Sequence, residues 1–205
     1  MTDWYAWEKQ AWQQGFQAVC GIDEAGRGPL AGPVFAAAVI LPKDCEIEGL
    51  NDSKKLSEKK REFLFDQIKE CALSYSIAFS TEQEIDEINI LQATFLAMNR
   101  AAAGLSIPAD CALVDGNRDP LLPIPTTLVV KGDSQSANIA AASILAKVSR
   151  DRLMLELDEL YPQYQFRKHK GYGTALHREL LLQHGPCPIH RKSFLKKILG
   201  EKSVG

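Results

Sequence analysis

The chain has 205 residues, 45% of them hydrophobic, and a formal net charge of −2. This length and apolar content allow one substantial buried core, while the lack of a strong positive charge argues against a protein that coats nucleic acid by bulk electrostatics. No apolar run approaches the roughly 20 residues that span a bilayer, and the first residues lack the basic-then-apolar order of a signal peptide, so we expect a cytoplasmic protein.

The N-terminal part is predicted to contain one helix and two strands. Residues 3–14 have helix-forming character, and residues 18–23 (AVCGID) then form a short apolar strand. Residues 33–41 (PVFAAAVIL) follow a glycine-rich turn and are almost entirely apolar, which is typical of a strand buried on both faces. This second strand is therefore expected near the centre of a sheet.

The next stretch is predicted to alternate helix and strand. Ser57 can cap a helix that ends near Cys71, and residues 73–80 have the β-character of a third strand. The apolar spacing of residues 88–105 predicts a long helix that stops at Gly104.

The C-terminal half is predicted to complete the sheet and cover it. Residues 111–116 and 126–133 form two short strands that each run into an aspartate, and residues 137–160 form a strong helix. Short helices are expected near 174–183 and 190–199. The order β-β-(α)-β-α-β-β-α indicates a mixed α/β fold with one sheet covered by helices.

Four acidic residues share a setting at strand ends: Asp23, Glu24, Asp115 and Asp133. Acids that end different strands can converge at one rim of a sheet, where they repel one another unless a cation lies among them. Ligation by oxygen alone favours Mg²⁺ or Mn²⁺. Two alternatives stay open at this point, because Asp133 could cap the following helix and Asp115 could belong to a simple turn.

Asp23 and Glu24 pose a geometric difficulty for a shared site. Neighbouring side chains in a regular strand point to opposite faces of the sheet, so a bend is needed for both to meet one ion. The following segment, residues 25–28 (AGRG), contains glycines that allow the chain to leave the strand sharply.

The cysteines give no sign of a disulfide framework or a zinc site. They are odd in number, contain no CxxC pair, and are expected to be reduced: Cys20, Cys45, Cys71, Cys111 and Cys187. Three soft ligands near the C-terminus, at His184, Cys187 and His190, lack a fourth at standard spacing, which argues against zinc.

Basic residues are clustered in three places, either as solvated helix faces or as patches for the phosphates of nucleic acid. The clusters comprise Lys54, Lys55, Lys59, Lys60 and Arg61, then residues 167–170, then Arg191, Lys192, Lys196 and Lys197.

Seven sequence blocks, in order, resemble the bacterial ribonuclease HII family. They are GIDEAGRGPLAGPV (21–34), DSKKLSEKKRE (52–62), LVDGN (113–117), VKGD (130–133), AASILAKVSRD (141–151), HKGYGT (169–174) and GPCPIHRKSF (185–194). The resemblance implies a ribonuclease H-like fold, with a five-stranded mixed sheet flanked by helices and a helical C-terminal extension. It also implies a catalytic domain over residues 18–205, helical from about 160 to 205, after an N-terminal helical extension over residues 1–17.

The resemblance implies an endoribonuclease that hydrolyses the RNA strand of RNA/DNA hybrids and cuts 5′ of single ribonucleotides in duplex DNA, leaving 3′-hydroxyl and 5′-phosphate ends. Asp23, Glu24, Asp115 and Asp133 match the family's catalytic, metal-binding acids and would hold two Mg²⁺ or Mn²⁺ ions. The alternatives are a ribonuclease HIII-like hybrid nuclease and a non-catalytic nucleic-acid-binding module. We expect a monomer whose partners are nucleic acids and not membranes.

The same resemblance assigns residues to substrate binding: Gly26, Arg27, Gly28, Ser53, Lys54, Lys55, His169, Lys170 and Tyr172. The backbone of the two glycines can approach a sugar closely and sense a 2′-hydroxyl, and the tyrosine would stack on the neighbouring sugar. Gly173 departs from the family pattern, since many members have proline there, and this leaves the stiffness of the turn open.

Overall fold

The computed structural model describes residues 3–43 and 45–200, and within these ranges the chain forms five strands and seven α-helices. The strands are β1 (Val19–Ala25), β2 (Val34–Ile40), β3 (Ser74–Ser80), β4 (Cys111–Asp115) and β5 (Thr126–Val129). The helices are α1 (Ala6–Gln13), α2 (Glu58–Cys71), α3 (Glu82–Ala103), α4 (Ala137–Leu160), α5 (Phe166–His169), α6 (Ala175–His184) and α7 (Lys192–Leu199). Short 3₁₀ segments occur at Ser53–Lys55, Gly132–Ser134 and Pro162–Tyr164.

The five strands form one mixed sheet in the order β3-β2-β1-β4-β5. The first three strands along the chain pair antiparallel, whereas β1–β4 and β4–β5 are parallel. The C-terminal ends of β1 and β4 therefore lie at the same edge of the sheet, and the register pairs Ile22 with Val114. This pairing brings Asp23 and Asp115, which follow these two residues, side by side.

The sheet is covered on both faces, as the apolar run of the second strand predicted. Phe35, Ala37 and Val39 of β2 pack with α2 and α4, while the alternate residues Ala36 and Ala38 pack with α3. Helix α4 lies directly on β1, and this close approach depends on a glycine in the strand. A Cβ atom at Gly21 would lie 2.2 Å from the backbone carbonyl carbon of Asn138.

Helix α3 begins earlier than the apolar pattern predicted. Thr81 and Glu84 form a capping box that starts the helix at Glu82, six positions before the predicted start at residue 88. Asn89 interrupts the helix with φ of 68°, and its side-chain oxygen accepts hydrogen bonds from two of the backbone N–H groups that follow. The predicted start thus corresponds to this second, internal cap.

Two expectations about single residues are corrected by the fold. The long helix α4 is capped by Ser136, whose hydroxyl accepts a hydrogen bond from the Ile139 N–H, so Asp133 is not its cap. Cys45 and Cys71 form a disulfide, although all five cysteines were expected to be reduced. Cys71 ends α2 and Cys45 lies in the loop after β2, a proximity that sequence spacing does not reveal.

Helix α1 packs against residues of β1, β4 and β5 and the start of α4, with Trp7 and Trp12 on this buried cluster. The predicted C-terminal helices correspond to α6 and α7. Residues 1–2 and 201–205, which belong to the two expected extensions, lie outside the described residues. In the part of the chain that the structure describes, no helix is both long and apolar enough to cross a membrane.

Candidate active site

A cavity of about 230 Å³ opens at the edge of the sheet where β1 and β4 end. Its walls come from four parts of the chain: the end of β1 with the glycine-rich segment after it, the 3₁₀ turn at residue 53, the end of β4, and one face of α4 together with the turn at Tyr172. The lining residues are Asp23, Glu24, Ala25, Gly26, Arg27, Gly28, Ser53, Lys54, Asp115, Ser143, Lys147 and Tyr172.

Three of the four predicted acids line this cavity, and the fourth stands beside it. Asp115 accepts a hydrogen bond from the Gly132 N–H at 2.6 Å, which ties the end of β4 to the 3₁₀ turn that contains Asp133. The buried Asp133 carboxylate lies 3.4 Å from the Lys54 ammonium, which is itself part of the cavity wall. The fold therefore gathers at one edge all four acids, which are distant along the chain.

The bend required for Asp23 and Glu24 does not fall between them. Strand β1 stays in register with β2 through both acids and ends only after Ala25. The chain turns at Gly26, where φ is +98°. Glu24 instead reaches the cavity at the strand's end, where its carboxylate lies 3.3 Å from the guanidinium of Arg27.

Burial and neighbouring negative charges raise the pKa values of the Asp23 and Glu24 carboxyl groups. The pKa of Asp23 is raised well above its ordinary value by burial first and then by the charges of Glu24 and Asp115, against the opposing effect of a hydrogen bond to Ser143. The pKa of Glu24 is also raised by burial, with Arg27 opposing the shift and Asp115 adding to it. The ionised acids therefore destabilise one another in the absence of a cation.

The pKa of Asp133 is raised for the same reasons. Burial is the largest cause, the charges of Asp115 and Asp52 add to it, and the ammonium of Lys54 opposes it. Lys54 in turn has a raised pKa: burial opposes the shift, and the charges of Asp133 and Asp23 outweigh it. One exposed lysine thus offsets part of the negative charge at this edge.

The acids do not form a closed set of metal ligands in this arrangement. Among residues 3–43 and 45–200, no three His, Cys, Asp or Glu side chains are grouped so that they could hold one ion. The donors nevertheless fit a hard divalent cation in kind, because they are all carboxylate oxygens. In this arrangement Glu24 contacts Arg27 and Asp133 contacts Lys54, so two of the four acids have a basic partner.

The glycine-rich segment forms the wall opposite the acids and lies against two buried arginines. A Cβ atom at Gly26 would lie 2.1 Å from the Arg150 Nε atom, so glycine is required there for packing as well as for its positive φ. Arg191 donates hydrogen bonds to the carbonyl oxygens of Gly26 and Arg27. The Arg27 side chain is about half exposed and borders the opening.

Tyr172 lies next to Gly28 at the mouth of the cavity, with 42% of its surface exposed. The ammonium of Lys147 and the guanidinium of Arg150 lie 5.9 and 5.8 Å from the ring centroid. Its N–H donates to the carbonyl of His169 at 2.8 Å, and its own carbonyl lies 3.0 Å from His177 Nδ1. These bonds stiffen the turn although residue 173 is glycine.

The three residues of the predicted phosphate-binding segment, Ser53, Lys54 and Lys55, occupy different positions relative to the cavity. Ser53 is buried, and its hydroxyl lies 2.8 Å from that of Ser143, beneath the acids. Lys54 reaches the cavity, whereas Lys55 lies 3.9 Å from Asp52 and is not part of the cavity wall.

His169 and Lys170 are not at the cavity surface, contrary to the expectation that they flank the substrate. His169 is 7% exposed, with one ring nitrogen 2.9 Å from the Tyr164 carbonyl and the other accepting from the Gly171 N–H. The Lys170 ammonium donates to the carbonyl of Arg167, and its backbone carbonyl accepts from Arg150. Both residues are bonded behind the turn that carries Tyr172.

Sequence reasoning missed a line of polar residues on α4. Ser143, Lys147 and Arg150 follow one another at intervals of four and three residues, which places them on one face of the helix. Polar residues at helical spacing in a helix that is otherwise rich in buried alanine are the signal that could have identified them. Arg191 was assigned to a basic surface cluster, but its side chain is fully buried.

Comparison with known sequences gives a consistent match. The family model described as ribonuclease HII matches residues 20–197. A ribonuclease HII from Idiomarina loihiensis is 62% identical over 88% of this chain and 98% of its own length. Another from Caldicellulosiruptor saccharolyticus is 54% identical and covers 96% of both chains.

Solved structures with the same fold include the ribonuclease H2 from Pyrococcus horikoshii, with a TM-score of 0.73 and 30% identity, covering 91% of this chain and 98% of that one. The ribonuclease HII from Archaeoglobus fulgidus, solved in a complex with PCNA, has a TM-score of 0.68 and 26% identity over 85% of this chain and 94% of that one. Bst-RNase HIII in complex with Mn²⁺ shares the fold at 19% identity, with a TM-score of 0.68 over 95% of this chain and 66% of that one.

Proposed function

The chain belongs to the ribonuclease HII family of metal-dependent endoribonucleases that act on RNA/DNA hybrids, and on that premise we propose that it also incises duplex DNA 5′ of single embedded ribonucleotides. In this proposal Asp23, Glu24, Asp115 and Asp133 are the catalytic carboxylates. The supporting observation is the single cavity that brings acids from β1 and β4 to face the glycine-rich segment and Tyr172.

Mg²⁺ or Mn²⁺ suits the donors at this edge, since they are all carboxylate oxygens and carry more negative charge than Lys54 and Arg27 neutralise. Asp23 and Asp115, adjacent across the paired strands, would hold the metal ions together with Glu24 and Asp133. Two ions held there would supply activation of the attacking water and neutralisation of charge on the phosphate and the leaving oxygen, the chemistry needed for 3′-hydroxyl and 5′-phosphate ends.

The other cavity residues would position the substrate. Lys54 is 79% exposed in its side chain, and a phosphate could take the place of Asp133 as its partner. Lys147 stands on the same wall below Tyr172. The half-exposed ring of Tyr172 offers a face for a sugar or base, a contact typical of single-nucleotide recognition.

Ribose selectivity requires a group that senses the 2′-hydroxyl. Gly26, Arg27 and Gly28 suit this role because their backbone forms a cavity wall without large side chains at the two glycines. Ser53 and Lys55 would support phosphate contacts from the adjoining turn. His169 and Lys170 would act through the Tyr172 turn, in keeping with their bonded positions behind it.

The remaining parts of the proposal concern organisation and location. We expect residues 18–205 to act as one catalytic domain with residues 1–17 as an added helix, and the protein to work as a monomer. Its expected place is the cytoplasm, where RNA/DNA hybrids arise during replication and transcription. A non-catalytic binding module is disfavoured, because acids at all four positions would weaken phosphate binding without a metal.

The decisive test uses two substrates: a DNA duplex with one ribonucleotide and a continuous RNA/DNA hybrid. Each is incubated with Mg²⁺, Mn²⁺ or chelator, and the products are mapped to the nucleotide. We expect metal-dependent cleavage of both, with the single-ribonucleotide duplex cut on the 5′ side of the ribose. Cleavage of the hybrid alone would favour a ribonuclease HIII-like preference, and binding without cleavage would contradict the proposed catalysis.

A further inference from the structure

Arg191 is the most unusual charged residue outside the acid cluster. Its side chain has no exposed surface, although burying a guanidinium is costly unless its donors are fully used. Three of its nitrogens donate to backbone carbonyls: Nε to Gly32 at 2.8 Å, and the two terminal nitrogens to Arg27 at 2.9 Å and Gly26 at 2.6 Å. In the described residues, no carboxylate lies within 4 Å of it.

These bonds fix the orientation of two consecutive peptide planes. In a trans peptide the C=O of one residue and the N–H of the next point in opposite directions, and the described chain has no cis peptide bond. When the Gly26 carbonyl points inward to Arg191, the Arg27 N–H points outward. The inward carbonyl of Arg27 turns the Gly28 N–H outward in the same way.

The two outward N–H groups have no partner within the part of the chain that the structure describes. They belong to residues that line the cavity beside the acids and Tyr172. Two adjacent backbone donors without a protein acceptor form a site for an oxygen that carries negative or partial negative charge. The carbonyls of Gly26 and Arg27 each already accept one hydrogen bond from Arg191, whereas the two N–H groups have no acceptor among the described residues.

We propose that Arg191 is a positioning residue for substrate recognition, which holds the Arg27 and Gly28 N–H groups toward the cavity as a paired donor for the sugar-phosphate of the ribonucleotide. This inference rests on the proposed function of the cavity. It specifies that the segment reads acceptor oxygens, namely a phosphate oxygen or the oxygen of the 2′-hydroxyl.

Lysine cannot replace arginine in this role. The guanidinium is planar and presents donors in a fixed fork that reaches three carbonyls at once, whereas an ammonium is a compact point charge on a flexible stem. Burial, together with the nearby charge of Arg150, lowers the pKa of Arg191 to about 9, so it remains charged at neutral pH. Arg191→Lys keeps a nitrogen donor at this position but loses the fork that orients both carbonyls.

The test compares Arg191→Lys and Arg191→Gln with the wild-type chain and with Arg152→Lys. Arg152 pairs with Glu62 at the surface of α4, away from the cavity, and serves as the matched control. For each protein we measure steady-state kinetics on a DNA duplex with one ribonucleotide and the affinity for the same duplex made wholly of DNA. We also measure the Mn²⁺ affinity and the melting temperature. We expect both Arg191 variants to lose at least about tenfold in kcat/KM through KM, with Mn²⁺ affinity unchanged and a smaller loss of affinity for the all-DNA duplex, which keeps the phosphates but lacks the 2′-hydroxyl.

A loss confined to melting temperature and to the fraction of active enzyme, with KM unchanged, would overturn the inference. Unchanged kinetics in both Arg191 variants would do the same, while cleavage by the wild-type chain would still support the proposed function. Failure of the wild-type chain to cleave, in contrast, would count against the proposed function itself.

A second measurement avoids dependence on variants that fail to fold. We measure the chemical shifts of the Arg27 and Gly28 backbone amides in the wild-type chain by NMR, with chelator present. The chain is titrated with the ribonucleotide duplex and, separately, with the all-DNA duplex. We expect both amides to shift, and more strongly with the ribonucleotide duplex. If neither amide responds to either duplex, the paired-donor role is wrong.

Discussion

Two sides of the cavity bury charge in opposite ways. The acid wall, formed by Asp23, Glu24 and Asp115, places like charges together, so that burial and repulsion raise the pKa values of Asp23 and Glu24. The braced side, formed by the glycine-rich segment with Arg150 and Arg191 behind it, pairs each buried guanidinium with three backbone carbonyls.

The difference indicates which side depends on a ligand. The braced side satisfies its two buried guanidinium groups internally, whereas its Arg27 and Gly28 N–H groups have no acceptor among the described residues. The acid wall remains electrostatically incomplete, a condition that proteins tolerate at functional sites and offset elsewhere in the fold. A side whose buried guanidinium groups are internally bonded thus lies beside a set of carboxylates that a cation would stabilise.

The largest effect is expected from breaking the acid wall with Asp115→Asn. The change keeps the shape of the side chain but removes a charged oxygen ligand, so we expect a loss of at least about a thousandfold in kcat with Mg²⁺. The melting temperature in chelator should stay the same or rise, because one repelling charge is gone. Asp66→Asn on the exposed face of α2 is the control, and near wild-type activity in Asp115→Asn would reject the proposed site.

Breaking the braced side should have the reverse signature, a loss of stability. Arg150→Met leaves the carbonyls of Ala31, Pro33 and Lys170 buried without their donor. We expect the free energy of unfolding to fall by about 2–4 kcal/mol, from the typical cost of unsatisfied buried polar groups. Denaturant titration measures this loss, and a change within about 0.5 kcal/mol would show that the brace contributes little.

A smaller and more selective effect is expected from Tyr172→Ala. The ring has no hydroxyl hydrogen bond among the described contacts and is partly exposed, so its removal should cost little stability. We expect about a tenfold loss in kcat/KM on a single embedded ribonucleotide, from the usual contribution of an aromatic stacking contact, and unchanged Mn²⁺ affinity. Tyr75→Phe, elsewhere in the fold, is the control. If Tyr172→Ala and the wild-type chain have equal kinetics on that substrate, Tyr172 does not contribute to ribonucleotide recognition.

The smallest effect is a dependence of stability on pH that has opposite signs for the acid wall and for a buried histidine pair behind the Tyr172 turn, His177 and His190, whose Nε2 atoms lie 3.0 Å apart. Burial lowers the pKa of His177 and of His190 to about 4 from 6.5, so the folded chain binds fewer protons than the unfolded chain between these values. Stability contributed by this histidine pair should therefore be lost as pH falls from about 6.5 to 4. The raised pKa of Asp23 has the reverse effect, since the folded chain retains its proton longer and loses stability as pH rises through that pKa.

Thermal melting in chelator across this pH range separates the two contributions. We expect His177→Gln to reduce the loss of stability as pH falls, and Asp23→Asn to reduce the loss of stability as pH rises. His184→Gln is the matched control, because that histidine is exposed. If melting temperature depends on pH in the same way for all three variants and the wild-type chain, the two sets of buried groups do not affect stability as proposed.

The sequence predicted the parts of this arrangement that local chemistry determines. The apolar run of β2 indicated burial on both faces, and Ser57 accepts the Lys60 N–H as the predicted cap of α2. Asp23 and Asp115 were identified because they lie at or near the C-terminal ends of predicted strands. The two acids share one edge of the sheet because β1 and β4 pair in parallel.

Other features depend on tertiary contacts that no local pattern records. Arg191 sits among basic residues in sequence and was predicted as surface charge, yet three carbonyls from a segment more than 150 residues away bury it. His169 was predicted at the substrate and instead supports the turn from behind. The turn in the chain after Ala25 also depends on Arg150, which fills the space that a side chain at Gly26 would need.

Direct measurement of Mn²⁺ binding by electron paramagnetic resonance tests the central claim most closely, because it observes the ion and needs no turnover. The wild-type chain and Asp23→Asn are each titrated with Mn²⁺, and the free-ion signal reports what remains unbound. We expect saturable binding by the wild-type chain and at least about tenfold weaker binding by Asp23→Asn. Equal binding by the two proteins, or none by the wild-type chain, would contradict it.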